Sequence, residues 1–117
     1  LTTLANWHFV YSIADTDYIS RLPIAVETDT PYHFKIEVDS DRKATIFVNG
    51  IQYNVTTTAG STGGTAVTAV QPGKAVTKTA ALTDNIDLIP YVGIEAGDGA
   101  AAALDVQFEA ISRLIFE

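Results

Sequence analysis

Apolar and polar residues alternate with a period of two through much of this chain. That is the pattern of strands that turn one face to a core. In residues 6–13, Trp7, Phe9, Tyr11 and Ile13 alternate with His8, Val10 and Ser12. In residues 31–39, Tyr32, Phe34, Ile36 and Val38 fall on one face, with His33, Lys35 and Glu37 on the other. This predicts a half-buried antiparallel strand. A polar turn at 39–42 leads into a strand over 43–48, with Ala44, Ile46 and Val48 on one face. Asn49-Gly50 follows at once. Both central residues of a type I′ turn need positive φ, so this dipeptide between apolar runs predicts a tight hairpin. A third strand over 51–57 turns Ile51, Tyr53 and Val55 inward, and residues 31–57 read as a three-stranded meander.

The middle of the chain changes texture. From Thr56 to Leu82 it is mostly Thr, Ala, Gly and Val, and its only charges are Lys74 and Lys78. Residues 60–64 read as a flexible glycine-rich loop and 71–73 as a turn, with β-capable segments over 65–70 and 75–82. A strand this poor in charge would make a sticky edge if exposed. Two placements are open for the 58–82 stretch: a hairpin lying over its own core, or an arm lying on a neighbouring subunit. Further on, residues 86–95 form a nearly continuous apolar strand whose Pro90 implies an edge or a bulge. Asp98-Gly99 is a turn. Residues 100–117 fit a strand from Leu104, or a helix with Leu104, Phe108, Ile111 and Ile115 in one stripe. The β character of everything before them favours the strand. The succession of short strands and turns predicts an all-β, antiparallel sandwich in a single domain over 1–117.

Charge and composition narrow the partners. Fourteen acidic residues against seven basic ones give a net charge of −7. Nucleic acid and anionic lipid are recognised through basic surfaces, so neither is expected here. The chain has no cysteine, which excludes disulfides, thiol catalysis and zinc–thiolate sites. No apolar run approaches the ~20 residues of a membrane-spanning helix. The sequence starts at Leu1, and no basic-then-apolar run of signal-peptide type opens it. The expectation is a processed protein or the C-terminal portion of a longer one.

The stretch from Tyr32 through Asp39-Ser40-Asp41 to Asn49-Gly50 resembles the central hairpin of concanavalin A-like and laminin-G-like jelly rolls. There, too, an aromatic-led strand, an acidic turn, a second strand and an Asn-Gly or Asp-Gly turn follow in that order. Residues 87–94 resemble a later strand of that fold, and 104–108 its closing strand. The likeness covers about two-thirds of the chain and implies a jelly-roll-like β-sandwich that lacks its N-terminal strands here. The Thr/Ala/Gly/Val insert is similar to the spacer-rich style of jelly-roll domains in bacteriophage capsid-decoration and tail proteins. Fold likeness of this kind does not fix function.

Several residue groups could carry chemistry. Glu37, Asp39 and Asp41 stand at period two, similar to the Glu-x-Asp-x-Glu pattern of jelly-roll glycosidases, where paired carboxylates act as nucleophile and acid. Asp and Ser are also ordinary turn residues, and that is the favoured reading. Oxygen-rich loops at Asp15–Asp17, Asp39–Asp41, Asp84–Asp87 and Asp98 could hold calcium only if several converged. His8 and His33 sit on outward faces, without the spacing of a transition-metal site. Trp7, Tyr11, Tyr32 and Tyr53 fall on core faces. Tyr18 and Tyr91, beside a turn and at a proline-bent edge, are the candidates for contact with a glycan or a neighbouring subunit.

These features predict a non-enzymatic viral structural protein, a phage capsid-decoration or tail-associated domain on the virion surface. Its partners would be other virion proteins and copies of itself as a homo-oligomer, with a cell-surface glycan as an added target. No cofactor or metal is expected. A carbohydrate-binding module is the alternative, and a glycoside hydrolase the enzymatic rival.

Overall fold

A computed structural model describes residues 6–27, 29–60 and 63–84. All of them belong to one compact unit, Leu1–Ile86. The strand at 86–95, the turn at 98–99, Tyr91 and the ambiguous 100–117 segment lie outside the described residues.

Among the described residues every regular element is a strand. Six strands form two three-stranded sheets, consistent with a β-sandwich. The first sheet has the order β1-β2-β6: β1 (Asn6–Ile13), β2 (Thr16–Ala25) and β6 (Thr65–Ala66). The second has the order β3-β4-β5: β3 (Phe34–Val38), β4 (Ala44–Val48) and β5 (Ile51–Tyr53). β1 and β2 are antiparallel, β2 and β6 parallel, and the second sheet is antiparallel throughout. One core joins the sheets, built from Tyr11 and Leu22 on one side and Ile46, Val48, Tyr53 and Val55 on the other.

Strand β2 was not legible in the alternation. Ser20 puts a polar side chain at an inward position, and Pro23 stands inside the strand. A two-residue turn at Ala14-Asp15, with φ of 50° and 61°, joins β1 to β2. Asp15 and Asp17 therefore belong to a hairpin, not to an open oxygen-rich loop. Near its end β2 carries two extra residues between the Arg21–His8 and Ala25–Asn6 pairs. Pro23, which has no N–H to donate, sits within this bulge.

The meander forms with Asn49 and Gly50 at φ of 50° and 81°, but its third strand ends at Tyr53 instead of continuing to 57. Its burial differs from the expectation. β4 is buried along nearly its whole length, yet every residue of β3 is exposed. Phe34, Ile36 and Val38 keep 45%, 58% and 47% of their surface accessible. The physical reason is lateral: among the described residues the apolar cover gathers over β4 and β5 and reaches β3 through Trp7 at Phe34. Ile51, expected inward, is likewise exposed, at the corner just past the Asn-Gly turn.

The low-complexity stretch lies on its own body rather than extending as an arm. Val67 N–H donates to the Arg21 carbonyl, Val55 N–H to Thr77, Thr79 N–H to Ala44 and Leu82 N–H to Arg42. The glycines are points of contact here. At Gly64, φ is +76° and a Cβ would lie 2.7 Å from Ile19 Cγ2. Only glycine allows both the backbone angle and the approach.

Candidate functional site

The acidic run after β3 is organised by Asp39. Its Oδ1 accepts the backbone N–H groups of Asp41 and Lys43 at 2.9 and 3.0 Å, the local bonding that makes Asp a turn residue. Its Oδ2 accepts from Lys78 Nζ at 2.8 Å. The Lys78 hydrogen bond, helped by the Lys43 amide, holds the Asp39 carboxyl down at about 2. A general acid requires the opposite shift. Glu37 faces solvent and pairs with Lys35 at 3.0 Å. Glu37 and Asp39 border a depression of about 100 Å³, together with Lys43, Thr45 and Lys78.

A larger groove of about 330 Å³ runs between residues 54–58 and 65–68 and is widely open. Asn54, Thr56, Thr57, Thr65, Thr68 and Thr77 dominate its walls. Asn54 is itself committed: its side chain donates to the Thr68 carbonyl and accepts from Thr77 N–H. No group of three or more His, Asp or Glu side chains converges as a metal site among the described residues. His8 Nδ1 lies 2.8 Å from the Asn6 carbonyl, while His33 is exposed.

The aromatic residues are largely spent on one another. Tyr18 is half-buried on β2, its ring stacked on Tyr11 at 4.6 Å and nearly parallel to it. Trp7 meets the rings of Tyr32 and Phe34 edge to face, each at 5.0 Å. The Trp7 Nε1 is buried and has no hydrogen-bond partner among the described residues. Tyr32 Oη donates to the Ala25 carbonyl and accepts from Glu27 N–H, fixing the crossover between the sheets.

Strand β3 also stands open among the described residues. It pairs with β4 on one side and with no strand on the other among the described residues. The register and its flanking bonds fix which backbone groups face that free side. His33 accepts from Asn49, and Asp39 donates to Lys43. The ladder between them is continuous and antiparallel, so Lys35 and Glu37 also bond to β4. Phe34, Ile36 and Val38 therefore aim their N–H and C=O groups outward along the edge. The same three residues carry the exposed apolar side chains. Sequence reasoning identified these residues and assigned them to the core. Alternation tells which side chains share a face, but not whether a second layer covers it.

Comparison with protein-family models, with curated proteins and with solved structures gives no match to this chain.

Proposed function

We propose that this domain is a non-enzymatic structural component of a bacteriophage virion. On this reading it is a jelly-roll-like capsid-decoration or tail-associated domain that acts by assembly with other virion proteins and with copies of itself. The observation that carries assembly is the β3 edge, where Phe34, Ile36 and Val38 present apolar side chains together with backbone groups that no strand pairs among the described residues. Soluble domains commonly blunt an edge with charge, proline or a covering element; β3 has no proline, and its two charges, Lys35 and Glu37, are of opposite sign and so can pair across a contact. A subunit destined for a contact keeps its edge open, and repetition over a particle turns modest contacts into strong attachment. The virion setting rests on the resemblance of the 32–50 hairpin to jelly-roll domains and on the Thr/Ala/Gly/Val texture of 56–82.

The test is the protein's state in solution and in its source particle, by light scattering and by mass spectrometry of purified particles. Recovery in fixed stoichiometry from a symmetric particle is the expected result. A monomer at all concentrations that co-purifies with no particle overturns the proposal. Saturable glycan-array binding by such a monomer would instead identify a carbohydrate-binding module.

A further inference from the structure

The sequence of β3, Phe34-Lys35-Ile36-Glu37-Val38, is nearly a mirror of itself about Ile36: apolar, charged, apolar, oppositely charged, apolar. An antiparallel partner running along the free edge with Ile36 opposite Ile36 would see its own complement. Phe34 would face the second copy's Val38, and Val38 its Phe34. Lys35 would face Glu37, and Glu37 Lys35, giving two opposite-charge cross-strand pairs on the outer face.

We propose that β3 is the two-fold edge of a homodimer, pairing with β3 of a second copy about Ile36 to join two three-stranded sheets into one of six strands. This deepens the assembly reading and rests on it. Three independent features agree on this register. The outward N–H and C=O groups are those of Phe34, Ile36 and Val38, and pairing about Ile36 matches all of them with their counterparts in the other copy. The apolar side chains of both copies fall on one continuous face, in line with the buried Ala44, Ile46 and Val48 of β4. The charges on the other face form a checkerboard. Within one copy Lys35 lies 3.0 Å from Glu37 and 4.4 Å above the Phe47 ring, so both charges share this face. A slip of one residue along the edge would put apolar against charged side chains and lose the backbone match. An isologous contact of this form closes on itself, so it yields a dimer and not a fibre. β1 is also an edge strand, but its far face carries His8, Val10 and Ser12, and the bulge opposite Trp7 interrupts its ladder.

Charge substitutions on the full chain test this register, with association followed by sedimentation equilibrium over about a hundredfold concentration range. Wild type is expected to dimerise. Lys35→Glu places Glu opposite Glu twice and should weaken the dimer about tenfold or more. Glu37→Lys should weaken it similarly, although it moves the chain's net charge toward zero. The double exchange K35E/E37K restores opposite charges at both pairs and should recover the dimer. Because the chain has no cysteine, Ile36→Cys should oxidise to a covalent dimer, while a cysteine at the exposed Ser12 of β1 (Ser12→Cys) should not. A wild-type monomer overturns the proposal. So does a dimer that is indifferent to the single exchanges or not rescued by the double one. An indifferent dimer leaves assembly standing and removes only β3 as its site, whereas absence from any particle removes the assembly reading itself.

Discussion

Three buried oxygens hold the loops to the sheets. Ser20 Oγ, on a fully buried residue, accepts the Thr56 N–H at 2.9 Å, and Thr79 Oγ1 accepts the Ala44 N–H at 2.8 Å. Tyr11 Oη donates to the Thr56 carbonyl at 2.7 Å and accepts the Ala80 N–H at 3.3 Å. Burial pushes the Tyr11 hydroxyl up, and the Ala80 hydrogen bond offsets part of that. Each oxygen satisfies a backbone group that would otherwise be desolvated without a partner. Ser20→Ala orphans the Thr56 N–H and is expected to cost about 1–3 kcal/mol, read as a lower urea midpoint at unchanged slope. The ion pair of Asp39 makes a different prediction. The folded state holds this carboxyl at about 2, below its ordinary 3.8, chiefly through Lys78. Its contribution is therefore complete above pH ~4 and is lost as pH falls through about 2. In Asp39→Asn the side chain can still accept the Asp41 and Lys43 amides, but the charge is gone. Thermal melts across pH 2–7 should show wild type ahead of this variant near neutrality, with the gap closing toward pH 2.

At the level of elements, turns decide how the ladders register, and the two tight hairpins are built with unequal chemistry. Asn49-Gly50 suits its left-handed backbone. Ala14-Asp15 adopts the same pair of positive φ angles with a Cβ at a position that disfavours it. Replacing Ala14-Asp15 by Asn-Gly should stabilise the chain by about 1 kcal/mol, a rise in melting temperature without change in the β1–β2 register. This difference also explains what could be read in advance. The hairpin at 49–50 was legible because its residues announce the turn, and β1, β4 and Tyr53 followed from alternation. β2 was hidden because its inward Ser20 is polar, and because Pro23 is accommodated by a bulge that only the pairing with β1 creates. The placement of 63–82 was equally hidden. Its contacts combine backbone bonds to Arg21, Ala44 and Arg42 and a close approach at Gly64 with scattered side-chain contacts from Val67, Lys78, Thr79 and Leu82, which follow no single period. The exposure of β3 depends on which strands the opposing layer reaches, a property of the packed pair of sheets. Of the candidate contact residues, Tyr18 is half-buried in its stack on Tyr11, and Tyr91 lies outside the described residues.

For the molecule as a whole, the question is how a chain of charge −7 tolerates an apolar edge that no strand covers among the described residues. Net charge opposes every encounter between copies, but it acts over distance and is screened within ~8–10 Å at physiological salt. Pairing at the edge acts at contact and selects one register. The two effects together favour a single closed contact over open-ended aggregation, and they leave a mark on individual amides. Lys35 and Glu37 bond to β4 within one copy, whereas Phe34, Ile36 and Val38 point away from it. In dilute protein, hydrogen exchange along β3 should therefore alternate, slow at 35 and 37 and fast at 34, 36 and 38. Raising the concentration should slow the three fast amides together and leave the slow pair unchanged, since those are already bonded. Charge repulsion relieved by salt alone would change no single amide more than its neighbours. Loose hydrophobic clustering on the Phe34 face would leave 34, 36 and 38 fast, because it offers their N–H groups no acceptor. Only a strand laid against the edge abolishes the alternation, and a concentration-dependent loss of it in wild type but not in K35E would locate that strand on a second copy.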